Sequence, residues 1–122
     1  MESLYKAKRK RNDKWVTGWY CRMFFGDELE PAIIPKETNQ WSPVQIKRET
    51  LCQYVGREDI RHNKVFEGDI VYCYGGECRN GNYEYFEKVF IKSITDCESM
   101  QKIIESEHVL IIDNVHDMAR KN

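Results

Sequence analysis

The residues of this chain whose types could do chemistry are few. They are five cysteines (Cys21, Cys52, Cys73, Cys78 and Cys97), three histidines (His62, His108 and His116) and two short acidic runs, Glu58-Asp59 and Glu67 with Asp69. Nucleophilic catalysis needs a Cys or Ser beside an oriented base. Each histidine stands singly, outside any motif that would pair it with a nucleophile. Cys73 and Cys78 are five apart across Gly75-Gly76, wider than a zinc knuckle and without a second pair. The acidic runs lie among turn residues, where Asp and Glu serve the backbone. No catalytic constellation forms, so the expectation is a protein that is not an enzyme and holds no cofactor or metal.

The one marked charge cluster is Lys6, Lys8, Arg9, Lys10 and Arg11, with Lys14 beyond. On a strand, Lys6, Lys8 and Lys10 share one face, and Arg9 and Arg11 share the other. Two readings follow. The run is an edge strand guarded against aggregation by lysine, or it is a phosphate-contacting ridge with Trp15 or Tyr20 as stacking platforms. The split between faces, and a formal net charge of −1, favour the first. The acidic residues of the second half, Glu84, Glu87, Asp96, Glu98, Glu105 and Glu107, could mimic nucleic-acid charge toward a protein partner, or simply form a solvated face.

The elements that must position these groups read as mostly β. The chain has 122 residues, 41% hydrophobic and 12% aromatic, enough for one ordinary domain with a core of its own and too apolar for disorder. Residues 4 to 10 read as a strand, and Arg11-Asn12-Asp13 as a turn. From Lys14 to Phe25 the residues alternate: Trp15, Thr17, Trp19, Cys21, Met23 and Phe25 form a nearly apolar face, expected to lie on the core, and Gly18 marks a bend or bulge. Residues 26 to 48 hold Pro31, Pro35 and Pro43 and read as loops with a short edge strand at Ala32-Ile33-Ile34. Strands are expected at Thr50–Val55, Ile70–Tyr74, Tyr83–Ile94 and Val109–Ile112, with Gly56 to Lys64 rich in turns and a flexible tip between Gly75 and Asn82. Thr95-Asp96-Cys97-Glu98 fits a capping box, opening a helix to about Ser106.

The central stretch Gln53-Tyr54-Val55-Gly56-Arg57-Glu58-Asp59-Ile60-Arg61-His62-Asn63-Lys64-Val65-Phe66-Glu67-Gly68-Asp69-Ile70-Val71 resembles the signature of YopX-type proteins of phages and prophages. That signature runs Gln-aromatic-Thr-Gly, a Lys-Asp-x-Asn-Gly-Lys turn, then Ile-aromatic-Glu-Gly-Asp-Ile-Val. Tyr5 to Lys10 with Trp15 to Tyr20 is similar to the family's first hairpin, and Ile112 to Asp117 to its closing element. Asn63-Lys64 replaces the family's Asn-Gly, displaced by Arg61-His62, and Asp113 replaces its closing Gly. The resemblance implies a phage or prophage accessory protein of unknown activity. Within the signature, Gly56 and Gly68 read as backbone-freedom positions, Asp69 as an acceptor for turn amides, and Phe66 as a staple onto the core. Glu67-Gly68-Asp69-Ile70-Val71 before alternating aromatics also recurs at strand entries of small SH3-like barrels.

The expectation is therefore a single YopX-like domain over residues 1–122: mainly β, a small coiled barrel or sandwich with one short late helix. It is expected in the bacterial cytoplasm with reduced thiols, since Met1-Glu2-Ser3-Leu4 runs straight into charge and no membrane span or leader is visible. Its function is expected to be binding of a macromolecule, a protein sooner than a nucleic acid, with a homo-oligomer left open. Ile70 and Phe66 are expected to share one core with the Trp15–Phe25 face.

Overall fold

A computed structural model describes residues 3–36, 42–75 and 85–118. Among them the chain is mainly β, with nine strands, β1 (Tyr5–Lys8), β2 (Trp15–Phe25), β3 (Glu28–Pro35), β4 (Val44–Gln45), β5 (Cys52–Glu58), β6 (Lys64–Phe66), β7 (Asp69–Gly75), β8 (Tyr85–Phe90) and β9 (His108–Asn114). One helix, α1 (Cys97–Glu105), and a helical turn, α2 (Val115–Met118), complete it. The residues divide into two compact units, 1–54 and 55–122.

In the first unit the strands run β4-β3-β2-β1-β5, all antiparallel where registered. The order is open, ending on the edge strand β4, so no barrel closes there. β1 is not an edge: it pairs β2 from Tyr5 opposite Gly18 to Lys8 opposite Trp15, and β5 through Tyr5 opposite Gln53. This overturns the edge-guard reading of its lysines. The strand also stops at Lys8, with Arg9 making a single bridge to Ile46 and the chain turning over 10–12. Asp13 completes the turn in the left-handed region at φ 64, and Asn12 Oδ1 accepts from the Lys14 amide at 3.0 Å.

Residues 28–35 form a full strand where loops and a short edge strand were expected. The reason is local. Gly26 and Asp27 are the only residues between the paired Phe25 and Glu28, and Gly26 has φ +68 in the first central position, as a type II′ hairpin turn requires. Pro31 sits within β3 opposite Arg22, and its carbonyl accepts the Ile46 amide at 3.2 Å.

The core face of β2 is the reverse of the expected one. Val16 is buried and packs with Ala7, Ile33 and Ile46, with Tyr5, Tyr20, Val44 and Leu51 around them. The tryptophan face instead receives lysines from β1. Lys6 Nζ lies 4.4 Å and Lys8 Nζ 5.3 Å from the centre of the Trp15 ring, whose face attracts a cation. Gly18 is required by closeness: a Cβ there would stand 1.9 Å from the Ile34 carbonyl oxygen.

In the second unit β5 continues through Gly56, at φ +93, where turns were expected, and pairs with β6. A second sheet has the order β8-β7-β9, with a bulge between Ile70 and Val71 against β9. Val65, Val71, Cys73, Val89, Ile91, Ile103 and Val109 form the buried cluster of this unit, and Phe66 and Ile70 are buried without belonging to it or to the cluster around Val16. β8 ends at Phe90, short of the expected Ile94, and the expected flexible tip falls on 76–84, outside the described residues. The expected capping box does not form: Asp96, not Thr95, is the N-cap of α1, its side chain accepts no backbone amide of the first turn, and it is met instead by the Ser99 hydroxyl, which donates to Asp96 Oδ2 at 3.0 Å.

Candidate binding cleft

Most of the signature residues are held through backbone groups. Gln53 Nε2 lies 3.4 Å from Ser3 Oγ, and the Tyr54 amide donates to the Leu4 carbonyl at 2.8 Å. The Asp59 side chain is buried; Oδ1 accepts from the Arg61 and Asn63 amides at 2.9 Å each, and Oδ2 from the Ile111 amide at 3.2 Å. Between them His62, and not Asn63, takes the left-handed conformation, at φ 65. Glu67 Oε2 accepts from the Ile94 amide at 2.9 Å. Gly68, at φ +85, donates to Ile91 and accepts from Val115. Asp69 Oδ2 takes the Phe66 amide at 2.8 Å, the turn bond expected of it, and Phe66, Ile70 and Val71 are buried.

Sequence reasoning passed over Arg57. Its guanidinium donates to the carbonyls of Ile103, of Ser106 at 2.7 Å and of Glu107 at 2.8 Å, so a cation closes the C-terminal end of α1. Close by, burial pushes the Cys73 thiol up, against the opposing effects of a Ser106 hydrogen bond and the Arg57 charge. Burial likewise raises Cys21. Among the described residues no group of three or more His, Cys, Asp or Glu is placed to hold a metal ion. Of the acidic residues, Glu87 is tied to Lys102 at 2.8 Å, Glu98 lies 3.9 Å from it, and Glu105 accepts from Gln101. Glu84 lies outside the described residues.

The N-terminal cations do not form one ridge. Lys8 is 3% exposed and Lys6 lies over Trp15, while Lys10 and Arg11 are exposed in the turn that follows. Lys10 belongs instead to a cleft of about 490 Å³ in the first unit. Its cations are Lys10, Arg22, Lys47 and Arg48, its carboxylates Glu30 and Glu49, and its apolar lining Leu29, Pro31 and Ile46.

Three segments meet there. The Lys10 amide donates to the Gln45 carbonyl at 3.0 Å and the Lys47 amide to the Lys8 carbonyl at 2.9 Å, drawing 45–49 against the end of β1. Thr50 Oγ1 accepts from the Lys8 amide and donates to the Lys47 carbonyl, fixing the 3-10 turn Arg48–Thr50. The far end of the β2–β3 hairpin forms the other wall. Its register sets Arg22 opposite Pro31 and Phe24 opposite Leu29, on the face that carries Tyr20 and Ile33. Met23 opposite Glu30, and Phe25 opposite Glu28, project the other way. Lys47 is held by Asp13 at 2.6 Å, whereas Lys10, Arg22 and Arg48 form no ion pair among the described residues. Phe24 is 71% exposed and Leu29 41%.

Charge follows the same division. The first unit carries ten Lys and Arg against seven Asp and Glu, the second nine against thirteen. Among the described residues no helix is long and apolar enough to cross a membrane. No family model, no curated protein and no solved structure matches the chain.

Proposed function

We propose that this chain is a non-enzymatic accessory protein of the phage and prophage YopX type, acting in the bacterial cytoplasm by binding a macromolecule at the cleft of its first unit. The observation that carries this reading is that Arg22, which lines the cleft, shares a strand face with Phe24, which stands outside the lining at the end of the hairpin. They stand two residues apart on one face of β2, one a cation without a carboxylate partner among the described residues, the other an aromatic ring 71% exposed. A large exposed ring with apolar neighbours and a guanidinium beside it is the composition of a binding hot spot. Of the signature residues, Gln53 and Tyr54 hold the start of the first unit and the rest serve the turns of the second, and none of them lines the cleft.

The test is affinity capture from a bacterial lysate with the wild type and with Phe24→Ser/Leu29→Ser, followed by titration of the purified captured macromolecule. Stoichiometric binding that the double variant loses supports the reading. Turnover of a small molecule, with no macromolecule retained, would overturn it.

A further inference from the structure

Resting on that reading, we infer that the partner of the cleft is a single-stranded nucleic acid, its phosphates held by Lys10, Arg22 and Arg48 and a base stacked on Phe24. Charge complementarity carries the choice. Three cations converge from the turn after β1, from β2 and from the 3-10 turn, and none is neutralised by a carboxylate among the described residues. The strand register sends Glu28 to the face opposite Arg22 and Phe24, and the carboxylates of the cleft itself, Glu30 and Glu49, form no ion pair with Lys10, Arg22 or Arg48 among the described residues. An acidic peptide would satisfy the cations, but it offers a stacking partner for an exposed ring only where its sequence happens to carry one. A nucleotide strand offers both a phosphate and a π-face in each unit, and an aromatic platform beside basic side chains is how sequence-tolerant single-strand binding is built. A duplex keeps its bases stacked inside and leaves Phe24 idle. The site differs from the basic run read in the sequence: Lys8 is buried, and only Lys10 of that run takes part.

The experiment titrates a fluorescent deoxythymidine dodecamer, and a duplex of equal length, into the full chain at low and physiological salt. Single-strand affinity should fall with salt at a log–log slope of roughly −2, from about 0.7 per phosphate for three contacts. Phe24→Ser should weaken it about tenfold or more, Phe24→Tyr should retain it, and Arg22→Glu should abolish it. Phe24 is so exposed that its replacement leaves the fold intact, which thermal melting checks. Absence of single-strand binding at low salt, duplex binding as tight as single-strand binding, or indifference to Phe24→Ser overturns the inference. If the lysate instead yields a protein whose binding the Phe24 variant loses, the nucleic-acid assignment fails and the cleft remains a binding face. If neither oligonucleotide nor lysate macromolecule is retained, both fail.

Discussion

Asn114 donates its side-chain amide to Asp69 Oδ1 at 2.8 Å, joining the first residue of β7 to the last of β9 across 45 positions of sequence. The other Asp69 oxygen holds the Phe66 amide, and the carboxylate is 1% exposed. Asp69→Ala therefore strands two buried donors and should cost about 2–5 kcal/mol, since each such group left unsatisfied costs about 1–3 kcal/mol. Asn114→Ala should cost less, and a double-mutant cycle should return a coupling of about 1–2 kcal/mol by denaturant unfolding. Additive losses would show that the two side chains do not act together.

Gly18 and Gly26 separate two reasons for a glycine. Gly18→Ala drives a methyl into the Ile34 carbonyl and should cost about 3 kcal/mol or more. Gly26→Ala meets nothing within 4 Å but must hold φ +68, which costs an ordinary residue about 1–2 kcal/mol. Melting curves of the two variants should rank them in that order. Gly26→Asn should be milder than Gly26→Ala.

Much of the scaffold was legible in the sequence, because its causes are local. The alternation from Trp15 to Phe25, the apolar run at Ile70 and the helical spacing through Ile103 each reappear as β2, β7 and α1. The Asp69 turn was legible too, since its acceptor and donor lie three residues apart. The facing of β2 was not, because it depends on which strand pairs with it: lysines arriving from β1 turn an apolar stripe into a cation-bearing one. Gly26-Asp27 was a readable hairpin signal, masked by the prolines that follow. The cleft was illegible because its cations come from positions 10, 22 and 48, which no spacing rule connects.

Ile70→Ala should destabilise the fold by about 2–5 kcal/mol, as truncation of a buried aliphatic side chain does. Ile70 is 9% exposed in the central strand of its sheet. A melt unchanged from wild type would contradict this burial.

Arg57→Met should leave the global fold in place and loosen the end of α1. Three carbonyls lose a charged donor at once, and hydrogen bonds to charged groups are worth about 1.5–3 kcal/mol. Hydrogen exchange should rise selectively over the last turn of the helix. An exchange pattern equal to wild type would remove Arg57 from this role.

The thiols should react with a disulfide reagent in the order Cys97, Cys21, then Cys52 and Cys73, following exposure. A Cys78→Ser background keeps the kinetics to these four. Because burial raises Cys73 in the folded chain, the folded state binds a proton that the unfolded state has released once pH passes the ordinary thiol value of about 8.5. Stability owed to Cys73 is thus whole below that pH and is lost as pH climbs from it through the folded value. Cys21 acts in the same direction. Cys73→Ala should flatten the alkaline decline in urea midpoints, and an unaltered slope would contradict the assignment.

The Asp69–Asn114 link also orders events in time. The β2–β3 hairpin closes through two residues, and contacts that local form in roughly 1–10 μs. β7 must wait for a strand that begins at His108, and the entropy of closing so long a loop is lost before any pairing repays it. During that interval Val71 and Cys73 face water, and the edge of β7 that β9 will cover is open to any other strand. Synthesis from the N-terminal side presents the hairpin early and this unguarded edge later. The second unit is accordingly where chaperone contact, misassembly with a neighbouring copy, and proteolysis of half-made protein should concentrate.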